Sequence, residues 1–218
     1  MNSLSFKRSC RLLAAGLLLT LMGGCGALRP ATTPQPSFYS LDGAQGTRPG
    51  RVSSTASAAA PTLIVNPPHS AAGFDSPRII YVREPHQLEY FAHSEWADTP
   101  ARMLAPLIVA AIEGSGAFRA VVPTPSAAAG DLRLDTEVIR LQHEFQTRPS
   151  RVRFTLRAYI VDNTTRRVLA RREFDETAAA ASEDPYGGVV AANRAAQAVL
   201  EKLAAFCAEA ARSARTGK

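Results

Sequence analysis

The sequence is poor in cysteine and lacks a hydrophobic run long enough to cross a membrane. Three of its 218 residues are cysteines. The apolar stretch of about 11 residues at positions 12–22 is too short to span about 30 Å of hydrocarbon. Hydrophobic residues make up 46% of the chain and charged residues 20%, which excludes a disordered or fibrous protein. The length allows one domain of moderate size.

Motifs of nucleotide-binding and metal-dependent enzymes are also missing. There is no Gly-x-x-x-x-Gly-Lys-Ser/Thr loop, so the chain should not bind and hydrolyse ATP by itself. There is no His-Glu-x-x-His or Cys-x-x-Cys spacing for zinc. His86 and His93 lie near glutamates, which makes a metal site imaginable, but we interpret all four histidines as solvated or locally hydrogen-bonded. The sequence therefore predicts a protein that is not an enzyme and has no cofactor or metal.

The N-terminus has the layout of an exported, lipid-modified protein. Three basic residues, at positions 7, 8 and 11, precede the apolar stretch, as in a signal peptide. The segment Leu21-Met22-Gly23-Gly24-Cys25 then resembles the lipobox of bacterial lipoproteins, although Met22 stands where leucine is usual. We predict a lipoprotein signal peptide at residues 1–24 and lipid attachment at Cys25. An ordinary secretory signal that is cleaved nearby is the alternative.

Removal of residues 1–24 changes both the charge and the cysteine count. Three of the 25 basic residues and none of the 19 acidic ones are lost, so the formal net charge falls from +6 to +3. This bias is too weak to indicate nucleic-acid binding. With Cys25 lipidated, Cys207 has no partner for an intramolecular disulfide, and we expect it to be a small buried hydrophobe on a helix. Gly rather than Asp at position 26 favours the outer membrane by the sorting rule of enteric bacteria, with the domain facing the periplasm.

Residues 25–60 are predicted to be a lipidated N-terminus and flexible tether. They are rich in Pro, Ala, Ser, Thr and Gly, so they cannot bury enough apolar surface to offset the entropy of ordering. The exception is Phe38-Tyr39-Ser40-Leu41, which is β-prone. We expect this aromatic segment to dock, either as an edge strand of its own domain or on a partner.

Residues 61–214 are predicted to fold as an α+β domain, a two-layer sandwich of a mostly antiparallel sheet with two amphipathic helices. Pro100 indicates the start of the first helix, and Gly114-Ser115-Gly116 indicates its end. The apolar alternation shifts phase between Val138 and Ile139, as expected of a β-bulge. Strands are predicted at residues 62–65, 79–82, 88–91, 118–122, 132–145, 152–160 and 168–174, and the second helix at residues 189–210.

Aromatic residues provide the first set of candidate partner contacts. Tyr90, Phe91 and Trp96 gather before the first helix, where they either pack in the core or anchor an interface. Phe38 and Tyr39 are candidates for the same kind of contact.

Arginines provide the second set of candidate partner contacts. Arg151, Arg153 and Arg157 point away from the apolar side of the strand at residues 152–160. A solvated sheet face that discourages edge association explains them. Contact with an acidic partner or with anionic lipid headgroups is the alternative.

The order of several weak motifs resembles one known family. The predicted lipobox is followed by Phe38-Tyr39-Ser40-Leu41, a strand that ends near prolines, Phe74-Asp75-Ser76-Pro77-Arg78-Ile79-Ile80-Tyr81-Val82-Arg83, and Trp96-Ala97-Asp98-Thr99-Pro100 at the helix start. Over most of the mature chain this order resembles the ABC-type transport auxiliary lipoproteins, which include the paraquat-inducible protein C lipoproteins. Phe38 departs from the tyrosine that the family often has, and the tether is long and rich in Ala and Ser.

The resemblance implies a role and partners. Members of that family accompany an ABC ATPase, a permease and an MCE-domain (mammalian cell entry) protein in lipid trafficking between the two membranes. A non-enzymatic, lipid-anchored component that docks with the MCE subunit is therefore implied, and a homo-oligomer is left open. The alternative is a structural or assembly lipoprotein of another envelope machine, which the neighbouring genes would distinguish.

Overall fold

The computed structural model describes residues 35–42 and 59–216, and those from Pro36 onward form one compact unit. Nine strands and two helices lie in this part of the chain. In chain order they are β1 (Ser37–Tyr39), β2 (Thr62–Val65), β3 (His69–Ser70), β4 (Arg78–Val82), β5 (Glu89–Trp96), α1 (Pro100–Gly114), β6 (Ala120–Pro123), β7 (Leu132–Glu144), β8 (Arg151–Asp162), β9 (Val168–Ala179) and α2 (Pro185–Thr216).

The long strands β7, β8 and β9 form an antiparallel meander. β7 pairs with β8, and β8 with β9, over nearly their whole lengths. Oδ1 of Asp162 accepts hydrogen bonds from the amides of Thr164 and Thr165 (2.9 and 2.7 Å), which closes the turn between β8 and β9. Apolar residues alternate with polar ones along β8, so one face of the meander is apolar.

The β-bulge predicted in β7 is confirmed. The pairing of β7 with β8 shifts register between Val138 and Arg140, which leaves Ile139 without a partner on β8. Val138 is buried before the shift, and Leu141 and His143 are buried after it. The extra residue thus keeps the apolar side chains of both halves of β7 on the same face of the sheet.

The other edge of β7 pairs with three short strands in succession. β2, β3 and β4 run parallel to β7 and pair with its beginning, middle and end. β6 pairs in parallel with β2, β5 pairs antiparallel with β4, and β1 pairs in parallel with β5. Because the two long antiparallel ladders contain most of the paired residues, the predicted α+β sandwich with a mostly antiparallel sheet is confirmed.

Both helices pack into one hydrophobic core. α1 begins with Pro100 at its first position, where a missing amide hydrogen costs nothing, and a glycine at φ 62° (Gly116) follows its end. α2 packs against β8 and β9 and buries about two residues per turn between Val189 and Ala211. The buried positions of α2 include Ala191, Ala195, Val199, Leu203 and Cys207.

Cys207 is confirmed as a buried thiol. It is completely buried on α2, and this burial raises the pKa of its thiol to about 12. The neutral thiol therefore packs as a small apolar group. Across the described residues, neither helix combines the length and the apolar character that a membrane span requires.

Candidate functional site

The predicted lipid attachment site lies outside the described residues. Cys25 and the predicted signal peptide at residues 1–24 are not described, and neither is most of the predicted tether. They stay predictions. β1 is the first described element after Cys25, and its first residue, Ser37, lies twelve positions after that cysteine.

The aromatic segment that contains β1 docks on its own domain. β1 pairs with the end of β5, and the amide of Ala97 donates a hydrogen bond to the carbonyl oxygen of Tyr39 (2.7 Å). Leu41 is buried in the core. The amide of Asp42 donates a hydrogen bond to Oδ1 of Asn193 on α2 (3.0 Å). Of the two alternatives from the sequence, the structure shows the edge strand.

Three aromatic side chains on or beside β1, those of Phe38, Tyr39 and Tyr186, make up what we call the aromatic edge. Phe38 points to the opposite face of the strand from Tyr39. Phe38 and Tyr186 are each 63% exposed, more than any other large hydrophobic side chain of the described residues. Tyr39 packs against the core, and its ring centre lies 6.4 Å from that of Tyr186. Sequence reasoning missed Tyr186 because this residue lies far along the chain, at the start of α2.

The three aromatic residues predicted to gather before α1 lie in different environments. Trp96 is 3% exposed and packs in the core, so its ring cannot contact a partner. Phe91 is half-buried, with its ring centre 4.5 Å from that of Tyr81. Tyr90 is exposed, and the guanidinium carbon of Arg78 lies 4.9 Å from its ring centre. Of the two alternatives from the sequence, packing in the core therefore applies to Trp96. Tyr90 is the member of the three with an exposed ring.

A buried histidine lies beneath the first turn of α2. Nε2 of His143 lies 2.8 Å from Oγ of Ser150, whereas Nδ1 is buried without a hydrogen-bond partner. A Cβ atom on Gly188 would lie 2.5 Å from that Nδ1, so glycine allows the helix to approach the ring. Burial lowers the pKa of His143, although Glu183 and Asp184 partly offset this effect. The imidazole is therefore held in its neutral form.

Ser150 joins the meander to the start of α2. Its amide donates a hydrogen bond to Oε1 of Glu183 (2.8 Å), and its carbonyl oxygen accepts one from the amide of Ala180 (2.8 Å). Asp184 accepts a hydrogen bond from the amide of Gly187 (2.7 Å), which lowers the pKa of this carboxyl and caps the helix. No sequence motif singled out Ser150 or the two glycines, because these contacts form only when distant strands and α2 meet.

Charged side chains on the outer face of the meander, the face opposite the core, form what we call the ion-pair ladder. Each of the three predicted arginines contacts at least one carboxylate on a neighbouring strand. The pairs are Arg151–Glu144 (2.9 Å), Arg153–Asp175 (2.9 Å), Arg157–Glu137 (3.2 Å) and Arg157–Glu173 (3.0 Å).

The ion-pair ladder neutralises the predicted stripe of arginines. The Arg153 guanidinium, with help from the Thr155 hydroxyl, holds the pKa of Asp175 at about 2. Asp175 therefore stays ionised at neutral pH, and the carboxylates on β7 and β9 lie against the guanidinium groups of β8. This pairing favours a solvated, self-paired face over an anion-binding one.

The end of the meander beside the turn between β8 and β9 borders an open groove of about 940 Å³. Leu169 and Phe206 supply apolar surface to this groove. Arg172 lies in the same groove and pairs with Glu209 (3.3 Å). The charge of Arg172 is thus balanced, whereas the guanidinium carbon of Arg171, which also lines the groove, lies 5.9 Å from the ring centre of Tyr159.

The described residues contain no group that could hold a metal ion with three or more His, Cys, Asp or Glu ligands. The contact between His143 and Ser150 resembles that between a general base and a nucleophile. However, Ser150 is completely buried, and the cavity beside His143 has a volume of about 10 Å³. A substrate cannot reach this pair, so its role is to hold the end of the meander against α2.

The fold and these surfaces define the class of protein: an α+β sandwich that presents an aromatic edge and a self-neutralised outer face. The family follows from the sequence, since residues 39–204 match the model of the ABC-type transport auxiliary lipoprotein component, and the chain belongs to this family.

Two crystal structures share the fold. Protein XCC0632 from Xanthomonas campestris is 24% identical, with a TM-score of 0.66, and the match covers 73% of this chain and 89% of that one. A second crystal structure, of an uncharacterized protein, is 12% identical, with a TM-score of 0.61, and the match covers 79% of this chain and 99% of that one. No curated protein matches the sequence.

Proposed function

We propose that this chain is a non-enzymatic, lipid-anchored auxiliary component of an ABC/MCE-type transporter that moves lipids or other hydrophobic solutes across the envelope. Membership of the ABC-type transport auxiliary family, over residues 39–204, is the observation that carries the proposal. The lipobox-like segment that ends at Cys25 supports an anchor in a membrane, with the domain in the periplasm. Gly at position 26 favours the outer membrane.

The outer face of the sheet is the surface that we assign to the partner, an MCE-domain subunit. Ile80 pairs with Tyr90, and Val82, two residues further along β4, pairs with Glu144 of the ion-pair ladder. Because side chains two residues apart share a face, Tyr90 lies on the same face as the ladder. An exposed aromatic ring beside paired charges is the combination found at the centre and rim of protein interfaces.

The anchor is tested by the variant Cys25→Ala. Loss of the acylated thiol should release the protein from membranes into the soluble periplasmic fraction, because the acyl chains supply the membrane affinity. Cys207→Ala is the matched control, since Cys207 is buried in the core and should leave membrane attachment unchanged. Cell fractionation with immunoblotting measures both. Membrane retention of the Cys25 variant would exclude the anchor.

The partner is tested by photo-crosslinking in cells from a single position on the outer face. A photoreactive amino acid in place of Tyr90 should capture the MCE-domain subunit, which mass spectrometry would identify. Val168, which is also exposed but lies at the turn between β8 and β9, is the control position and should not capture it. Capture of a component of another envelope machine from position 90 would favour the structural or assembly alternative.

A further inference from the structure

Phe38, on the strand nearest to Cys25, lies on the outer face of the sheet. The register pairs Phe38 with Glu95 on β5, and it pairs Glu95 with Arg78 on β4. Arg78 lies two residues before Ile80, whose partner on β5 is Tyr90. Because side chains two residues apart on a strand share a face, Phe38 and Tyr90 point to the same side of the sheet.

The two rings belong to neighbouring rows of this face. The register between β4 and β5 shifts here, so residues 91–94 of β5 face only Ile79 of β4. On β4 the two rows are two residues apart, which is about 7 Å along the strand, and neighbouring strands lie about 4.8 Å apart. Phe38 on β1 is thus a diagonal neighbour of Tyr90 on β5 at about 8 Å, a separation that aromatic side chains can bridge.

Both rings are open to solvent and lie beside a pair of opposite charges. Phe38 is 63% exposed and Tyr90 is 39% exposed. Arg78 and Glu95 stand opposite each other next to them, and the guanidinium carbon of Arg78 lies 4.9 Å from the ring centre of Tyr90. Because the two charges balance each other, this surface favours an apolar segment over a strongly charged one. Exposed aromatic rings are common anchors for such a segment.

The length of chain between Cys25 and β1 limits where an occupant of this surface can be. Ser37, the first residue of β1, lies twelve positions after Cys25, and twelve residues span at most about 43 Å when fully extended. With Cys25 lipidated, the occupant must come within this distance of the bilayer that holds the acyl chains. A transporter subunit that is itself held in the cell envelope meets this condition.

We propose that Phe38 and Tyr90 form one docking surface for an apolar segment of the MCE-domain subunit, so that the strand nearest to the anchor supplies part of the partner's binding site. This inference rests on the proposed function, which assigns the outer face to that subunit. β1 is held in place by its pairing with β5 and by the burial of Leu41. Detachment of β1 would remove Phe38 from the surface, so the site is complete only while β1 is paired.

The joint surface is tested by photo-crosslinking in cells with the full-length protein. A photoreactive amino acid in place of Phe38 should capture the MCE-domain subunit, as one in place of Tyr90 should. Tyr186 is the matched control position. It is as exposed as Phe38, but its ring lies 6.4 Å from that of Tyr39, on the opposite side of β1, so it should not capture the subunit.

A substitution then shows whether the two rings act together. Phe38→Ala should reduce capture from position 90 by at least about fivefold, the loss expected of an interface anchor. Tyr186→Ala removes an equally exposed ring and should leave capture from position 90 unchanged. Because both side chains are exposed, both variants should fold, and circular dichroism checks this.

The outcomes separate this inference from the proposed function. Capture from position 90 but not from position 38, equal capture from positions 38 and 186, or full capture from position 90 in Phe38→Ala would each overturn the joint surface and leave the partner in place. Capture from neither position 38 nor position 90 would contradict the assignment of the outer face and the inference with it. Capture of a different envelope protein from both positions would overturn the proposed partner.

Discussion

The inner and outer faces of the meander belong to the same three strands and differ in almost every other respect. On the inner face, Leu156 and Ile160 are completely buried beside α2. On the outer face, Arg153 and Arg157 of the same strand contact carboxylates that are partly open to solvent. Neighbouring positions of one strand therefore experience opposite environments.

This difference indicates which face stabilises the domain. Burial of apolar surface contributes about 25 cal/mol per Å², so a core side chain contributes a few kcal/mol. An exposed ion pair contributes about 0.2–1 kcal/mol, because water and salt screen it. The inner face should therefore supply most of the stability, and the ion-pair ladder should mainly favour the correct strand neighbours and keep the sheet soluble.

The comparison is tested most strongly by Phe154→Ala on the inner face of β8. The variant should lose about 3–5 kcal/mol of unfolding free energy, because the removed ring leaves a cavity in a packed core. Urea denaturation followed by circular dichroism measures this loss. The adjacent outer-face variant Arg153→Ala is the control and should lose less than about 1 kcal/mol. Equal losses in the two variants would contradict the assignment of stability to the inner face.

A smaller effect is expected from acid, because His143 is the histidine on the inner face. Burial lowers its pKa in the folded protein, whereas in the unfolded chain the pKa of a histidine is about 6.5. The unfolded state therefore binds the proton more readily, so the unfolding free energy should fall as the pH drops through about 6.5 and level off below the folded pKa. Thermal unfolding between about pH 7.5 and pH 5.5 measures this dependence.

Two histidine variants separate this effect from general acid sensitivity. His143→Gln should flatten the dependence of stability on pH, because the buried titrating group is gone. His93→Gln changes an exposed histidine and should retain the slope of the native protein. If both variants kept the same slope, His143 would not be its source.

The smallest effect is expected from the ion-pair ladder. Asp175→Asn should lower the unfolding free energy at neutral pH by about 0.2–1 kcal/mol, and salt should reduce the difference between the variant and the native protein. Because Arg153 holds the pKa of Asp175 at about 2, the contribution of this pair is present above about pH 4 and is lost as the pH falls toward 2. Asp75→Asn, an exposed carboxylate, is the control in the same denaturation experiment. A loss of several kcal/mol would show that the outer face also contributes substantially to the stability of the domain.

The elements with the clearest periodicity were predictable from the sequence. Strict alternation identified β8, a phase shift identified the bulge in β7, and Pro100 identified the start of α1. These signals are local, because each depends on side chains that alternate within one segment. The family also followed from the order of short motifs along the chain.

Other features depend on contacts between residues that are distant in the chain, and no local sequence pattern predicts such contacts. β5 continues to Trp96, well beyond the predicted residues 88–91, because its end pairs with β1 and the amide of Trp96 bonds to the carbonyl oxygen of Pro77. β9 extends beyond residue 174 because β8 provides a partner for each further residue. β3 has two residues and no periodicity to detect.

The candidate partner contacts also divide into what a local sequence pattern predicts and what depends on the folded structure. The sequence identified Trp96 and Tyr90 as one group, because hydrophobicity alone does not distinguish a core ring from an exposed one. It identified the arginines of β8, but their carboxylate partners lie on β7 and β9 and become neighbours only in the sheet. The approach of His143 to Gly188 similarly requires α2 to be docked.

The pairing of β7 on both of its edges has a consequence for how the chain folds. Without β7, the remaining pairs would be β8 with β9, β2 with β6, and the small group of β4, β5 and β1. Two- and three-stranded fragments of this size are marginal in water. Because the polypeptide is made from N- to C-terminus, the first six strands can therefore join into one sheet only after residues 132–144 have been added.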